Sequence, residues 1–389
     1  MVNRSRHILF LTAVVLYWFS QYVFIPFFSP HLMALGITAT MAGTIVGAYG
    51  FVQLIIRIPV GVTADMLRNH KLFMAIGMMT LVISGIMMRT FSSETAFLLA
   101  RALAGVAAST WVAFTVYFMN ANIGSDAGRI TGTIMICNNL GVLSAYIAGG
   151  ILVDRVTING LFIISAVAAG IGFIMILCLK RGDKDAYHDP MNMQKIASVI
   201  KDKKLWNSSL LAALLQVISF ATAMSFTSNY AKSLGAGGFE IGICSAAFTG
   251  ASLLASIIIS SGAMYKIPEK FRISLSFVLV AVYCVMIPFC KSMIAIYIAQ
   301  AIGGFGRNAA ITLLMASAVG HVDAEKKSTA MGIFQSVYSL GMTIGPVIMG
   351  KFIDQFGGYT VPFSVMAFFA ICGFIWAICT FGRRQKEEK

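Results

Sequence analysis

The sequence predicts an all-α membrane protein, with twelve transmembrane helices in two pseudo-symmetric six-helix bundles. Three observations predict it. Of the 389 residues, 58% are hydrophobic and only 11% charged, whereas soluble chains run at roughly 45–50% apolar and about 25% charged. A soluble protein could not cover so much apolar surface with so few charges, which excludes a soluble enzyme, a disordered scaffold and a secreted disulfide module. The apolar residues fall into twelve runs, most of them long enough for the ~20 residues that a spanning helix needs. The two halves of the chain also repeat.

The first run, 8–30, follows Arg4 and Arg6. It is too long for a signal-peptide core and shows no small-residue cleavage site, so it reads as a retained helix. The first half continues with runs at 38–62, 71–90, 94–119, 129–153 and 159–179. The second half holds 206–230, 239–262, 271–290, 292–319, 328–352 and 359–381. The longest break, 180–205, is polar. Asp189 and Pro190 form a helix start there, with Asp as cap and Pro in the first turn. Ile196, Val199 and Ile200 then share one face among lysines, which predicts a short interfacial helix leading into the seventh run. The chain thus divides into an N-terminal bundle, 1–180, a linker, 181–205, and a C-terminal bundle with its tail, 206–389.

The net charge of +14 sits in the loops and reads as topology rather than as a nucleic-acid surface. With the N terminus inside, 21 of the 29 Lys and Arg fall in inside loops and ends. Five fall outside: Arg89, Arg155, Lys232, Lys291 and Lys351. This predicts a multi-pass protein of a plasma or inner membrane with both termini cytoplasmic. Arg57, Arg101 and Arg307 remain within runs. The seven cysteines all lie in apolar runs and read as small buried hydrophobes. Shifting 129–154 by 200 residues pairs Gly132 with Gly332, Leu140 with Leu340, Gly141 with Gly341, Gly150 with Gly350 and Asp154 with Asp354. A six-plus-six parallel repeat around a central cavity is a transporter plan.

The turn after the second run reads Gly61-Val-Thr-Ala-Asp65-Met-Leu-Arg68-Asn-His-Lys71. Gly61 allows close helix approach. Asp65, at a membrane boundary, suits a basic partner or a helix N-terminus. This stretch resembles the loop 2–3 signature of the major facilitator superfamily, with Asn69-His70 standing where Gly-Arg is usual. The resemblance implies alternating access, with Asp65 as a cytoplasmic latch between the halves and Gly61, Arg68 and Lys71 as gating elements. The matching turn after the eighth run, Ser261 to Lys266, lacks the Asp. Arg101-Ala-Leu-Ala-Gly105 is similar to the family's fourth-span motif, whose Arg is linked to coupling in proton-driven members. Gly141 to Gly150 resembles the family's fifth-span glycine run, with Ala145-Tyr146 in place of Gly-Pro. The closer copy, Gly341 to Gly350 with Gly345-Pro346, lies in the eleventh run.

Gly304-Phe-Gly306-Arg307-Asn308-Ala309 fits a dinucleotide-binding pattern by letter, but that pattern needs a strand before it and a helix after it. Here it lies inside a long apolar run. Arg307 is about 15 residues from either end, and such an arginine costs roughly 2.5–3.5 kcal/mol to insert. A cavity position is expected. Other polar side chains reach comparable depth: Tyr17, Trp18 and Gln21; Gln53; Asn138 and Asn139; Gln216; and Gln335 with Tyr338 on one helical face. Each alone fits a helix–helix hydrogen bond. With Arg307, Asn308 and Arg101 they outline the candidate substrate site (all but Asn139 are carried forward as substrate-binding residues). None of the 15 acidic residues lies at mid-membrane. Arginine stays charged and pairs bidentately with carboxylate or phosphate, so the expected substrate is a small organic anion. It would move with a proton or a counter-substrate, or by facilitation. The alternative is a proton-coupled exporter of drug-like compounds, supported by the aromatic-rich spans and the Gly341–Gly350 run. No nucleophile–base pair, zinc-ligand spacing or phosphate loop points to an enzyme. No cofactor, metal or nucleic acid is expected, and the protein is expected to be a monomer in a lipid bilayer.

Overall fold

The computed structural model describes residues 4–67, 69–122, 127–179, 199, 201–261, 267–323 and 326–382. No strand occurs among them. The first half contains α1 (Arg4–Tyr22), α2 (Ile25–Ala34), α3 (Ala39–Leu67), α4 (His70–Thr90), α5 (Glu94–Ser109), α6 (Trp111–Asn120) and α7 (Ala127–Cys178). The second half contains α8 (Lys203–Ala221), a π-helical turn (Thr222–Phe226), α9 (Thr227–Ser233), α10 (Gly238–Ser260), α11 (Glu269–Met286), α12 (Met293–Val319), α13 (Lys327–Phe356) and α14 (Thr360–Gly382). Short polar side chains set several starts. Ser93 accepts from the Ala96 N–H and Ser292 from the Ala295 N–H, both at 3.3 Å. These bonds satisfy donors that a helix N-terminus leaves unpaired.

Eleven stretches among the described residues are long and apolar enough to cross a bilayer. One of them, Gly132–Cys178, has 47 residues, about 70 Å of helix against a hydrocarbon core of ~30 Å. It is broken at Thr157, whose φ of 60° is non-helical and strained for a β-branched residue. The runs read separately in the sequence, 129–153 and 159–179, meet at this break.

Within the halves α1 packs on α7, α3 on α5 and α4 on α7; then α8 on α13, α10 on α12 and α11 on α14. The 200-residue repeat appears here as paired contacts. A Cβ on Gly141 would sit 2.6 Å from the Val15 carbonyl of α1, and one on Gly341 would collide with the Ala213 carbonyl of α8. Small residues at these positions let the helix backbones close up.

Across the halves, α3 packs on α13 and α7 on α10. Both seams are tied at the end where α3 and α10 begin. Asp354 accepts from the Ala39 and Thr40 N–H groups at 2.9 and 2.8 Å, and from the Thr40 hydroxyl at 2.6 Å. Its repeat mate Asp154 accepts from the Gly238 N–H at 3.2 Å. Each carboxylate, at the end of a helix in one half, faces the N-terminus of a helix in the other, where partial positive charge favours it. Near the opposite ends of α3 and α7, a Cβ on Gly61 or Gly132 would meet nothing within 4 Å, so open space lies beside the helices at these two positions.

One expectation changes. The cysteines are not uniformly buried: Cys244, Cys284 and Cys290 are, but Cys178 and Cys379 are exposed. A small apolar side chain suits a lipid-facing surface as well as an interior, because both are apolar. The expected interfacial helix in the linker lies outside the described residues, apart from buried Val199.

Asp202 begins α8, accepting from the Lys204 and Leu205 N–H groups at 2.8 and 3.2 Å. It also pairs with His321, beyond the end of α12. Burial pushes its carboxyl pKa up, but the His321 bond and the two N–H donors outweigh that and hold it below the ordinary value. The resulting stability is present above the unfolded value of about 4 and is lost as pH falls through the lowered folded value. Asp202→Ala should therefore cost about 0.5–2 kcal/mol at neutral pH, read as a lower thermal midpoint in detergent. The gap to wild type should close on acidification; a gap that persists at low pH would contradict this account.

Candidate functional site

The first and seventh runs are both interrupted, 200 residues apart. α1 ends at Tyr22 and α2 begins at Ile25. Pro26 explains the break locally, because it has no N–H for the Tyr22 carbonyl and its ring crowds that turn. In the second half the break is the π-helical turn Thr222–Phe226. There the Thr222 and Ser225 hydroxyls donate to the Ile218 and Phe220 carbonyls at 2.7 and 2.6 Å, competing with the regular ladder. π turns inside helices recur at functional sites. A narrow cavity lies between the two breaks. Gln21 and Tyr22 line it from α1, Tyr49 from α3, Arg101 from α5, and Phe220 and Met224 from the broken seventh run.

Three arginines surround this region. Arg57 is 6% exposed. It donates to Gln53 Oε1 at 2.6 Å, Gln335 Oε1 at 3.0 Å, the Ala108 carbonyl at 3.3 Å and the Tyr338 hydroxyl at 3.4 Å. It therefore bridges α3 to α13 across the halves. Arg101 is 3% exposed and stacks over the Tyr49 ring at 4.7 Å. Arg307 is half-buried and donates to Gln216 Oε1 at 3.1 Å. The Nε of all three lacks a partner. Tyr22 lies within electrostatic reach of both Arg101 and Arg307. Among the described residues no ion pair involves any of the three; the pairs present are His321–Asp202 and Lys326–Asp323.

The structure sorts the sequence candidates. Arg101 and Gln21 share the cavity wall. Gln53, Gln216, Gln335 and Tyr338 hold the arginines. Trp18 packs edge-on to Trp111 at 5.0 Å, and its Nε1 is buried without a partner. Tyr17 is fully buried and donates to the Ala107 carbonyl at 2.5 Å, tying α1 to α5. Asn308 turns away from Arg307 and donates to the Ser252 carbonyl and Ser256 hydroxyl of α10 at 2.8 and 2.6 Å. Adjacent helix residues point about 100° apart, so one faces the centre and the other a neighbouring helix. Asn138 is half-buried on α7. The Gly304–Ala309 stretch lies inside continuous α12, with Gly304 against the Phe248 backbone of α10.

Of the gating candidates, Gly61 is buried. Lys71 donates to the Leu177 and Leu179 carbonyls at 2.7 and 2.5 Å, capping the end of α7 within its own half. Arg68 and the side chain of Asp65 lie outside the described residues. Sequence reasoning assigned no role to Arg57, Tyr22, Tyr49, Phe220 or Met224. Arg57 carried a usable signal: it sits four residues after Gln53, on the same helical face.

Comparison with known proteins agrees with this architecture. The sequence profile of the Major Facilitator Superfamily matches residues 10–287 and 210–389. An uncharacterised MFS-type transporter of Methanocaldococcus jannaschii is 22% identical over 352 residues, covering 85% of this chain and 87% of the relative. The crystal structure of the nucleoside transporter NupG superposes with a TM-score of 0.77 at 15% identity, covering 97% of this chain and 99% of that one. A bacterial homologue of the human lysosomal transporter Spinster, in an inward-facing, unoccupied conformation, gives 0.78 at 12% identity and covers 98% of each chain. With both halves matched and the fold shared end to end, this chain belongs to the Major Facilitator Superfamily and is a multi-pass membrane transporter.

Proposed function

We propose that this transporter moves a small organic anion, of carboxylate or phosphate type, by alternating access. The observation that carries this reading is the trio Arg57, Arg101 and Arg307, held around the centre by neutral partners and by no carboxylate among the described residues. Uncompensated guanidiniums in a low-dielectric site favour an anion, and their planar fork matches carboxylate or phosphate. Counting the helix broken at Thr157 as two, the eleven long apolar stretches of the described residues would make twelve spans, which we read as two six-helix bundles with the termini cytoplasmic by charge bias. The halves would rock about the central site, with Arg307 and Arg101 contacting the substrate and Gln21, Gln53, Gln216, Gln335 and Tyr338 orienting it or the arginines. A proton or counter-substrate would couple transport, and the monomer suffices, since the site lies within one chain. The seams closed where α3 and α10 begin fit a cytoplasm-facing state.

A thermal-shift panel of purified protein tests the substrate class. Carboxylates and organic phosphates should raise the melting temperature by mass action, and the rise should vanish in Arg307→Gln. Stabilisation by lipophilic cations or neutral amphipaths that survives the substitution would sink the anion reading in favour of a drug exporter.

A further inference from the structure

We infer that the cavity between the two broken helices is a halide site: in the substrate-free protein it takes a chloride ion, held by the guanidinium edge of Arg101 and an amide N–H of Gln21. The inference stands apart from the anion reading above, because the ion is a resident counter-charge and not the transported substrate. An organic anion anchored on Arg307 that also reached Arg101 would displace it.

The size of the cavity comes first. Its volume is about 20 Å³, room for one particle of about water size. The Tyr49 ring already meets Arg101 at 4.7 Å and Phe220 at 6.3 Å, so no organic molecule fits between them. A monatomic ion or a single water does.

Charge decides between those two. Arg101 is 3% exposed, and no carboxylate pairs with it among the described residues. A guanidinium withdrawn from water without a counter-charge is costly. The Tyr49 ring covers its face and offsets part of that cost. Its Nε–H has no partner, and its other N–H groups donate to no described residue. Arg57 and Arg307 differ, since each donates to protein acceptors. A water in the cavity would accept a hydrogen bond and leave the charge in place. Chloride accepts and also cancels the charge, and the Coulombic gain is large where the dielectric is low.

Gln21 supplies the second donor. It is 2% exposed, and no protein atom bonds to its amide. The Tyr17 hydroxyl stands beside it but donates its proton to the Ala107 carbonyl. An amide NH2 carries two protons; the Tyr17 oxygen could take one at most, which leaves one for the cavity. The rest of the wall selects the kind of anion. Ile25, Phe28, Val46 and Met224 offer no donors. Fluoride, small and strongly hydrated, would lose more solvation than this site returns, and sulfate or a carboxylate is too large. Chloride and bromide remain. Arg101 and Gln21 belong to the first half, and Phe220 and Met224 to the second, so the ion is enclosed only in this arrangement of the halves and favours it.

Thermal melting of the full-length protein in detergent tests the site, with chloride exchanged for gluconate at constant ionic strength to hold screening fixed. Chloride and bromide should raise the midpoint by at least about 2 °C, saturating in the millimolar range, and sulfate and fluoride should not. Arg307→Gln should keep this response and Arg101→Gln should lose it. Gln21→Glu places a carboxylate beside Arg101 and keeps the shape of the side chain. It should melt in gluconate as high as the wild type does in chloride, and gain nothing from added chloride. That variant keeps the test decisive if Arg101→Gln folds poorly. A wild type without a saturable halide response, or a Gln21→Glu variant that still has one, would overturn the inference and leave the anion reading standing. A response lost in Arg307→Gln and kept in Arg101→Gln would also overturn it, and would put the halide at the central anchor, in keeping with the anion reading.

Discussion

Arg307→Gln should raise the melting temperature of the substrate-free protein while nearly abolishing anion uptake by proteoliposomes. Arg307 lies mid-way along α12 with one hydrogen bond, to Gln216, and an unpartnered Nε. No carboxylate pairs with it among the described residues. A half-buried charge at mid-membrane without a counter-charge still destabilises the fold that holds it, and a central arginine costs roughly 2.5–3.5 kcal/mol by insertion scales. Glutamine keeps a hydrogen-bonding group for Gln216 and sheds the charge, so a gain of about 1–2 kcal/mol is expected. The transported anion loses a charge-assisted contact of about 3 kcal/mol, on the order of a hundredfold in binding. Arg307→Lys retains the charge but not the planar fork, and should fall between. A variant less stable than wild type with uptake unchanged would make Arg307 a packing residue.

The second large effect concerns the closed seams. A Cβ on Gly242 would lie 2.7 Å from the Tyr146 carbonyl oxygen and 2.8 Å from Gly150 Cα; one on Gly43 would collide with the Pro346 carbonyl. These are backbone atoms and cannot swing aside. Gly242→Leu should therefore force α7 from α10, and Gly43→Val should force α3 from α13, each costing the closed arrangement about 1–3 kcal/mol. The seams are separate, so the effects should add, enough to shift a two-state equilibrium by roughly a hundredfold or more. Spin labels at Leu35→Cys and Leu234→Cys, both exposed beyond the ends of the packed helices α2 and α9, would read the outcome. The double variant should lengthen the inter-label distance by several ångströms. An unchanged distance with a lower melting temperature would mean that the glycines serve packing alone.

Much of this protein was legible in one dimension. Hydropathy marked the long apolar stretches that the described residues fold into helices, because a span must satisfy its own backbone polar groups in lipid by forming a helix. The five identities at a 200-residue shift foretold equivalent contacts: Gly141 and Gly341 each close on the first helix of their half, and Asp154 and Asp354 each face a helix N-terminus of the other half. Arg307 was visible because charge in an apolar run is costly wherever the run goes. The partners of these groups were not visible. Arg57 meets Gln335 and Tyr338 about 280 residues away, and Asn308, beside Arg307 in sequence, bonds to α10 instead. The π turn that shapes the cavity rests on Thr and Ser hydroxyls that look ordinary in the sequence. The physical reason is common to all three. Hydropathy and helical period are local quantities, and lipid and helix neighbour are equally apolar, so they cannot say which side of a membrane helix turns inward. Packing between helices from both halves decides that, and with it which polar groups share the centre.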